Sequence, residues 1–468
     1  MGVREKLRTP FNPWIVAWTI GAILFALVVT WQNRGLTFFW DEWDVVSATL
    51  EGPYYGILQD NGGNFFPLSR IVFGIELAIF GTWYPGYMFV TSLLFGITAL
   101  AFNWVLDDGT KTRRILLTAF SLIYLSSTGV LFASSMGFML KWALSPLFAI
   151  LAAAFFIRSR EAGGNRKVLL VLAWLFFILS WASFSSSIIL MALLIVGLIH
   201  IAPKKLTGKP VAPIQIKISL LILPISAALA VLGLRLAELN PPMNQLVGNA
   251  QETIDYVLGL DPLNALLLSI AAALAGLVSV VIAIPLHDND VNAWLIIAFR
   301  DYLGLVIGLL LLVIGAVCFS KKTLPPRLLI LIFALFFIAQ AFIVVTRSPF
   351  IYRYQTLWVL IAILVILAFL GWLNSIQLTA IKNIVIGLVV VASLFSIWHI
   401  GSNSLSMATI ERQRDMANSS TLVNPEECLD EASKTLNQIA PTITAQRLCS
   451  ILASLNQRGW IFERQVLQ

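Results

Sequence analysis

Runs of about 20 apolar residues recur from Pro13 nearly to Ile400, and that is the length an α-helix needs to cross roughly 30 Å of hydrocarbon. Hydrophobic residues make up 59% of the 468-residue chain and charged residues only 12%, with a mean hydropathy of +0.87, far outside soluble composition. The fold class expected is therefore all-α, a polytopic transmembrane helical bundle. No small-residue cleavage signal follows the first run, so it reads as a retained span. The net charge of +7 does not point to nucleic acid, because the basic residues cluster in short loops between spans.

Those clusters orient the chain. Arg4, Lys6 and Arg8 hold the N-terminus in the cytoplasm and send a span over residues 13–31 outward. A return span over 87–106 ends at Lys111, Arg113 and Arg114, and spans over 115–133 and 138–157 follow, the second ending at Arg158, Arg160, Arg166 and Lys167. The run 168–201 is too long for one helix and is interrupted by Ser183, Ser185, Ser186 and Ser187, so it reads as two short spans with an external turn. A span over 214–234 opens a polar external segment, 235–264.

Residues 265–286 then look like a span, yet 302–319 has to run inward to deliver Lys321, Lys322 and Arg327 to the cytoplasm. Either 265–286 is a re-entrant or interfacial hairpin, which we favour, or 291–300 completes a return crossing. Spans over 328–346, 355–373 and 382–400 close the series. The expectation is about eleven spans plus interfacial helices, in a plasma-membrane, multi-pass chain with a cytoplasmic N-terminus and an extracytoplasmic C-terminus.

Two domains are expected: a transmembrane domain over 1–400, whose external loop 32–85 carries an acidic cluster, and a small external helical tail over 401–468. Helices are expected in the tail after Pro425 and after Pro441. Cys428 and Cys449 stand there, on the side where disulfides persist, and are expected to pair, worth about 3 kcal/mol in the loop-entropy picture. The alternative is two thiols packed in a helical hairpin.

The external loop concentrates the chemistry. Asp41, Glu42 and Asp44 lie within four positions between Trp40 and Trp43, and carboxylates held at a membrane boundary serve as bases or ligands. Solvated acids beside anchoring aromatics are the plainer reading. Residues 66–80 are apolar but short and carry Arg70 and Glu76, which suits an interfacial helix. On the same face are expected Arg70, Lys141 and the turn containing Arg347, Tyr352, Arg353 and Tyr354. Its guanidiniums suit a phosphate or pyrophosphate, or else anchor to headgroups. Lys141, taken singly, reads as a snorkelling lysine one turn below the surface.

An acidic cluster and several cations on one side fit a transfer reaction in which a carboxylate takes a proton while cations stabilise a departing lipid phosphate. They also fit a transporter or flippase for a lipid-linked or polar solute, although a transporter usually places polar groups near the midplane, where these spans offer little beyond Ser and Thr. His200, His287 and His399 are far apart without acidic partners at metal-site spacing, so zinc is not indicated, and no other divalent metal is. No Gly-rich phosphate loop or serine elbow is present.

In order and spacing these features resemble the GT-C class of membrane glycosyltransferases, which use polyprenyl-phosphate-linked sugars, and in particular uncharacterised bacterial members. Asp41-Glu42 followed by Pro67-Leu68 and the run to Gly81 is similar to the acid pair and interfacial helix of that class. SSMGFMLKW, ASFSSS and Tyr352-Arg353-Tyr354 are similar to its later turns. The resemblance implies Asp41 as catalytic base or acceptor-positioning group and Arg353 facing the lipid phosphate. Its implied partners are the bilayer, the lipid-linked donor and a glycan, lipid or protein acceptor, with no nucleic acid. Where relatives carry a His-Asn-Glu-His-Arg-like segment, this chain has Asp60-Asn61-Gly62-Gly63-Asn64, so acceptor identity and metal dependence are left open, with Asp60 the candidate substitute and Asp60 and Asn64 candidate substrate-binding residues.

Overall fold

The computed structural model describes residues 12–34, 36, 38, 41–51, 66–161, 166–183, 356–402 and 445–458. Among them there is no strand. Numbered over these residues, the helices are α1 (Pro13–Gln32), α2 (Asp41–Glu51), α3 (Pro67–Phe80), α4 (Tyr84–Leu106), α5 (Lys111–Ser126), α6 (Thr128–Ser134), α7 (Lys141–Glu161), α8 (Arg166–Ser183), α9 (Thr356–Ser375), α10 (Thr379–Ser402) and α11 (Ala445–Gln457). A 3-10 turn, Gly137–Leu140, leads into α7.

Helix α4 is the hub, touching α1, α3, α5, the 3-10 turn and α7. Its crossing with α1 is set by small residues. A Cβ on Gly96 would lie 2.7 Å from the Ala22 Cβ, so the backbones approach as closely as membrane helices with small residues allow. Helix α1 starts at Pro13, where a missing N–H costs nothing, and the Asn12 side chain accepts the Trp14 N–H at 3.1 Å. It buries Trp18, Ala22, Phe25, Ala26 and Val29 and exposes Ile20, Leu24 and Leu27 on the other side. That is the pattern of a helix packed on one face and bathed by hydrocarbon on the other.

Among the described residues, four segments are long and apolar enough to cross a membrane: Pro13–Gln32, Tyr84–Leu106, Gly137–Ser159 and Thr379–Trp398. The apolar stretches Lys167–Ser180 and Ala362–Asn374 lie within α8 and α9. The expected spans over 214–234, 302–319 and 328–346, and the ambiguous stretch 265–286, lie outside the described residues.

The expected span 115–133 is two helices. The chain leaves α5 at Ser127, whose ψ of 144° is extended. The reason is local: Ser126 Oγ and Ser127 Oγ donate back to the Ile123 and Tyr124 carbonyls at 3.1 and 2.7 Å, competing with the helical ladder. Helix α6 and the 3-10 turn then fold inward. The stretch 134–142, expected as an external turn, is buried against α4, with Ser134 at 0% exposure and Leu140 at 1%. A Cβ on Gly137 would meet the Tyr87 Cβ at 2.5 Å, so only glycine permits that approach.

The two ends of α4 differ in chemistry. At its C-terminus, Arg113 Nε donates to the Leu106 carbonyl at 3.2 Å, Arg114 pairs with Asp107 at 3.1 Å, and the Arg158 guanidinium lies 3.8 Å from the Trp104 ring centroid. Basic residues from α5 and α7 thus gather there. At the other end, about 35 Å away along the helix at 1.5 Å per residue, Tyr84 meets Glu42 of α2.

Helix α11 docks on α2, its Ile451 and Leu455 are buried, and Arg458 Nη2 donates to the Leu50 carbonyl at 3.0 Å. That donor satisfies a carbonyl in the last turn of α2 that the helix itself leaves open. Helix α11 of the tail is thus packed onto the acid-bearing segment.

Candidate functional site

The three acids occupy the first turn of α2, where the exposed amides and the helix dipole favour negative charge. For Asp41 and Asp44 only the backbone is described. Glu42 turns into the protein, 2% exposed. Its two oxygens accept the Tyr84 hydroxyl at 2.9 and 2.8 Å, and Oε1 also accepts the Phe138 N–H at 2.9 Å. The Tyr84 oxygen in turn accepts the Gly137 N–H at 3.1 Å. One carboxylate therefore ties α2, α4 and the 3-10 turn together through charge-assisted bonds.

Trp43, expected as an interfacial ring, is 5% exposed. Its Nε1–H donates to the Phe38 carbonyl at 3.1 Å and its ring meets Phe38 edge-on at 5.3 Å. Phe38 also packs edge-on against Tyr84 and Tyr87, at 5.3 and 5.1 Å. Aromatic packing of this kind fixes where the first turn of α2 points.

Lys141 does not snorkel. It is 8% exposed at the start of α7, its ammonium 3.9 Å from the Phe138 ring centroid and 4.3 Å from that of Phe66. Arg70 is 2% exposed on α3, its guanidinium 5.1 Å from the same Phe66 ring. Two cations thus lie against the ring of one phenylalanine, and Phe138 carries the ammonium on its ring and the Glu42 carboxylate on its backbone N–H.

Sequence reasoning missed Glu76. Helix α3 turns Ser69, Arg70, Phe73, Glu76 and Leu77 inward and exposes Ile71, Ile75 and Ile79 at 41, 54 and 63%. This amphipathicity is the reverse of a water-facing helix, and at 14 residues α3 is too short to span. Glu76 is 3% exposed, and neither oxygen has a hydrogen-bond partner among the described residues. Its carboxyl is pushed up to about 9, by burial first and by the Glu42 charge second. It is a neutral acid at physiological pH. The signal available was the isoleucine spacing of four, which marks the outward stripe and leaves Glu76 about 100° round the helix from its centre.

Asp60, Asn64, Arg347, Tyr352, Arg353, Tyr354 and Cys428 lie outside the described residues. Cys449 is disulfide-bonded. Among the described residues no group of three or more His, Cys, Asp or Glu is arranged to hold a metal ion. No family model, curated protein or solved structure matches the chain.

Proposed function

We propose that this chain is an integral-membrane glycosyltransferase that moves a sugar from a polyprenyl-phosphate-linked donor to an acceptor on the external face of the membrane. The observation that carries the reading is the meeting, at Phe138, of the acid turn of α2 with a buried cation: Glu42 Oε1 on its N–H at 2.9 Å, Lys141 Nζ over its ring at 3.9 Å. Arg70 joins Lys141 at Phe66. A transfer reaction needs both signs of charge close together. An acceptor O–H loses its proton to a carboxylate, its oxygen bonds to the anomeric carbon, and the bond from that carbon to the phosphate oxygen breaks, the electron pair leaving on a phosphate that cations stabilise.

Within this reading the acids divide their roles. The Glu42 oxygens are committed to Tyr84 and Phe138, so Glu42 holds the turn. Asp41, the residue before it, is the proposed base, with Arg70, Lys141 and Arg353 on the phosphate side.

The test is transfer of radiolabelled sugar from a panel of polyprenyl-phosphate donors by the purified chain in nanodiscs, read as a new glycosidic product. Asp41→Asn, at matched protein level, is expected to abolish product while leaving donor binding intact. Movement of a labelled lipid-linked or polar solute across proteoliposomes, with no glycosidic bond formed from any donor, would replace this reading with the transporter one.

A further inference from the structure

The proposed reaction makes no use of Glu76, yet burying a carboxyl that has no hydrogen-bond partner among the described residues is costly. Among the described residues, the groups around it can be named element by element. On α3 itself the other inward ionisable residue is Arg70, α2 presents Glu42, and α4 presents Tyr84 and Tyr87. The 3-10 turn and the start of α7 bring Lys141. Helix α8 meets α3 through Ser183, whose carbonyl accepts Ser69 Oγ at 3.1 Å, and its cations Arg166 and Lys167 stand at its opposite end. Glu42 already accepts the bonds that hold α2 to α4 and the 3-10 turn.

Two carboxyl groups in one buried site cannot both ionise cheaply. We propose that Glu76 is a positioning residue whose bound proton latches the acid turn of α2. With the proton in place, Glu42 is the sole negative charge of the pair and keeps Tyr84 and Phe138; when the proton leaves, repulsion weakens the seating of the turn and raises its opening. The inference concerns the same turn as the proposed transfer, but its readout does not require that any transfer occur.

The consequence is a linkage. Each opening that lets water reach Glu76 releases its proton, so opening of α2 becomes about tenfold more frequent for every pH unit above the solvated carboxyl range. The rise levels off near pH 9, where Glu76 ionises in place. The neutral isostere Glu76→Gln has no proton to lose.

Hydrogen exchange of the α2 amides, followed by mass spectrometry on the full chain in nanodiscs and corrected for the intrinsic rate, tests this between pH 6 and pH 10. Protection in the wild type is expected to fall by about tenfold per pH unit and to level off near pH 9, and in Glu76→Gln to stay flat. The same pH profile in both proteins, or flat protection in the wild type, overturns the proposal. Should Glu76→Gln fail to fold, Glu76→Met takes its place, and the infrared carbonyl band of a protonated acid in the wild type is followed alongside. Loss of that band near pH 9 together with the loss of α2 protection supports the latch, and its absence at neutral pH overturns it. A flat transfer assay beside a pH-dependent α2 would sink the enzyme reading alone.

Discussion

The hydroxyl of Tyr84 lies 2.8 and 2.9 Å from the two carboxylate oxygens of Glu42, a residue 42 positions earlier in the chain. The pair joins the first turn of α2 to the first turn of the central helix α4, and Gly137 N–H completes the chain of donors. Because every member is buried, the network is worth most when fully satisfied and is costly when broken.

Tyr84→Phe removes the donor to Glu42 and the acceptor of the Gly137 N–H in one step. The expected loss is about 2 to 3 kcal/mol, since a buried carboxylate and a buried amide each lose a partner. Thermal unfolding in detergent reads it. A double-mutant cycle with Glu42→Gln should show strong non-additivity, because both changes act on one network; additive effects would mean the two side chains do not interact.

Glu76 makes global stability depend on pH in a direction set by its raised pKa. Between 4.5 and about 9 the folded state keeps the proton that the unfolded state has lost, so stability falls as pH rises. The slope is about 1.4 kcal/mol per pH unit at most, ending near pH 9, and Glu76→Gln is expected to remove it. Unfolding midpoints of both proteins across that range are the measurement. Burial alone requires this slope, whereas the latch requires the local opening of α2 as well.

Lys141→Met keeps an unbranched apolar stem against Phe66 and Phe138 and removes the ammonium. Stability is expected to change by about 1 kcal/mol or less, the scale of a cation–π contact. Affinity for a polyprenyl-phosphate donor is expected to fall by tenfold or more, because losing a charge-assisted contact to a buried anion costs about 2 kcal/mol or more. Equal donor binding in variant and wild type would leave Lys141 as a packing residue only.

Leu455→Ala probes the docking of the tail helix. Leu455 is fully buried, and truncating a buried leucine costs about 2 to 5 kcal/mol where the site cannot collapse. The expected signature is greater proteolysis of the tail and faster exchange in α2, whose Leu50 carbonyl Arg458 holds. Loosening confined to the tail would show that α2 does not rely on it.

The sequence by itself determined the membrane-helical class and the bounds of the long apolar helices. Lipid imposes a length and an apolar composition on each spanning segment separately, and both can be counted along the chain. Helices α1, α4 and α10 accordingly lie within a few residues of the expected spans. The acid turn, Arg70 and Lys141 were legible as chemistry, since ionisable groups are rare in such a chain. Their arrangement was not. That Glu42 points inward, that the turn before Lys141 is buried, and that Glu76 is buried with no hydrogen-bond partner among the described residues follow from contacts among α2, α3, α4 and the 3-10 turn. Such contacts depend on close packing, as at Gly137 against Tyr87, and on which helix faces which. Those relations join residues dozens of positions apart, so only the tertiary structure decided them.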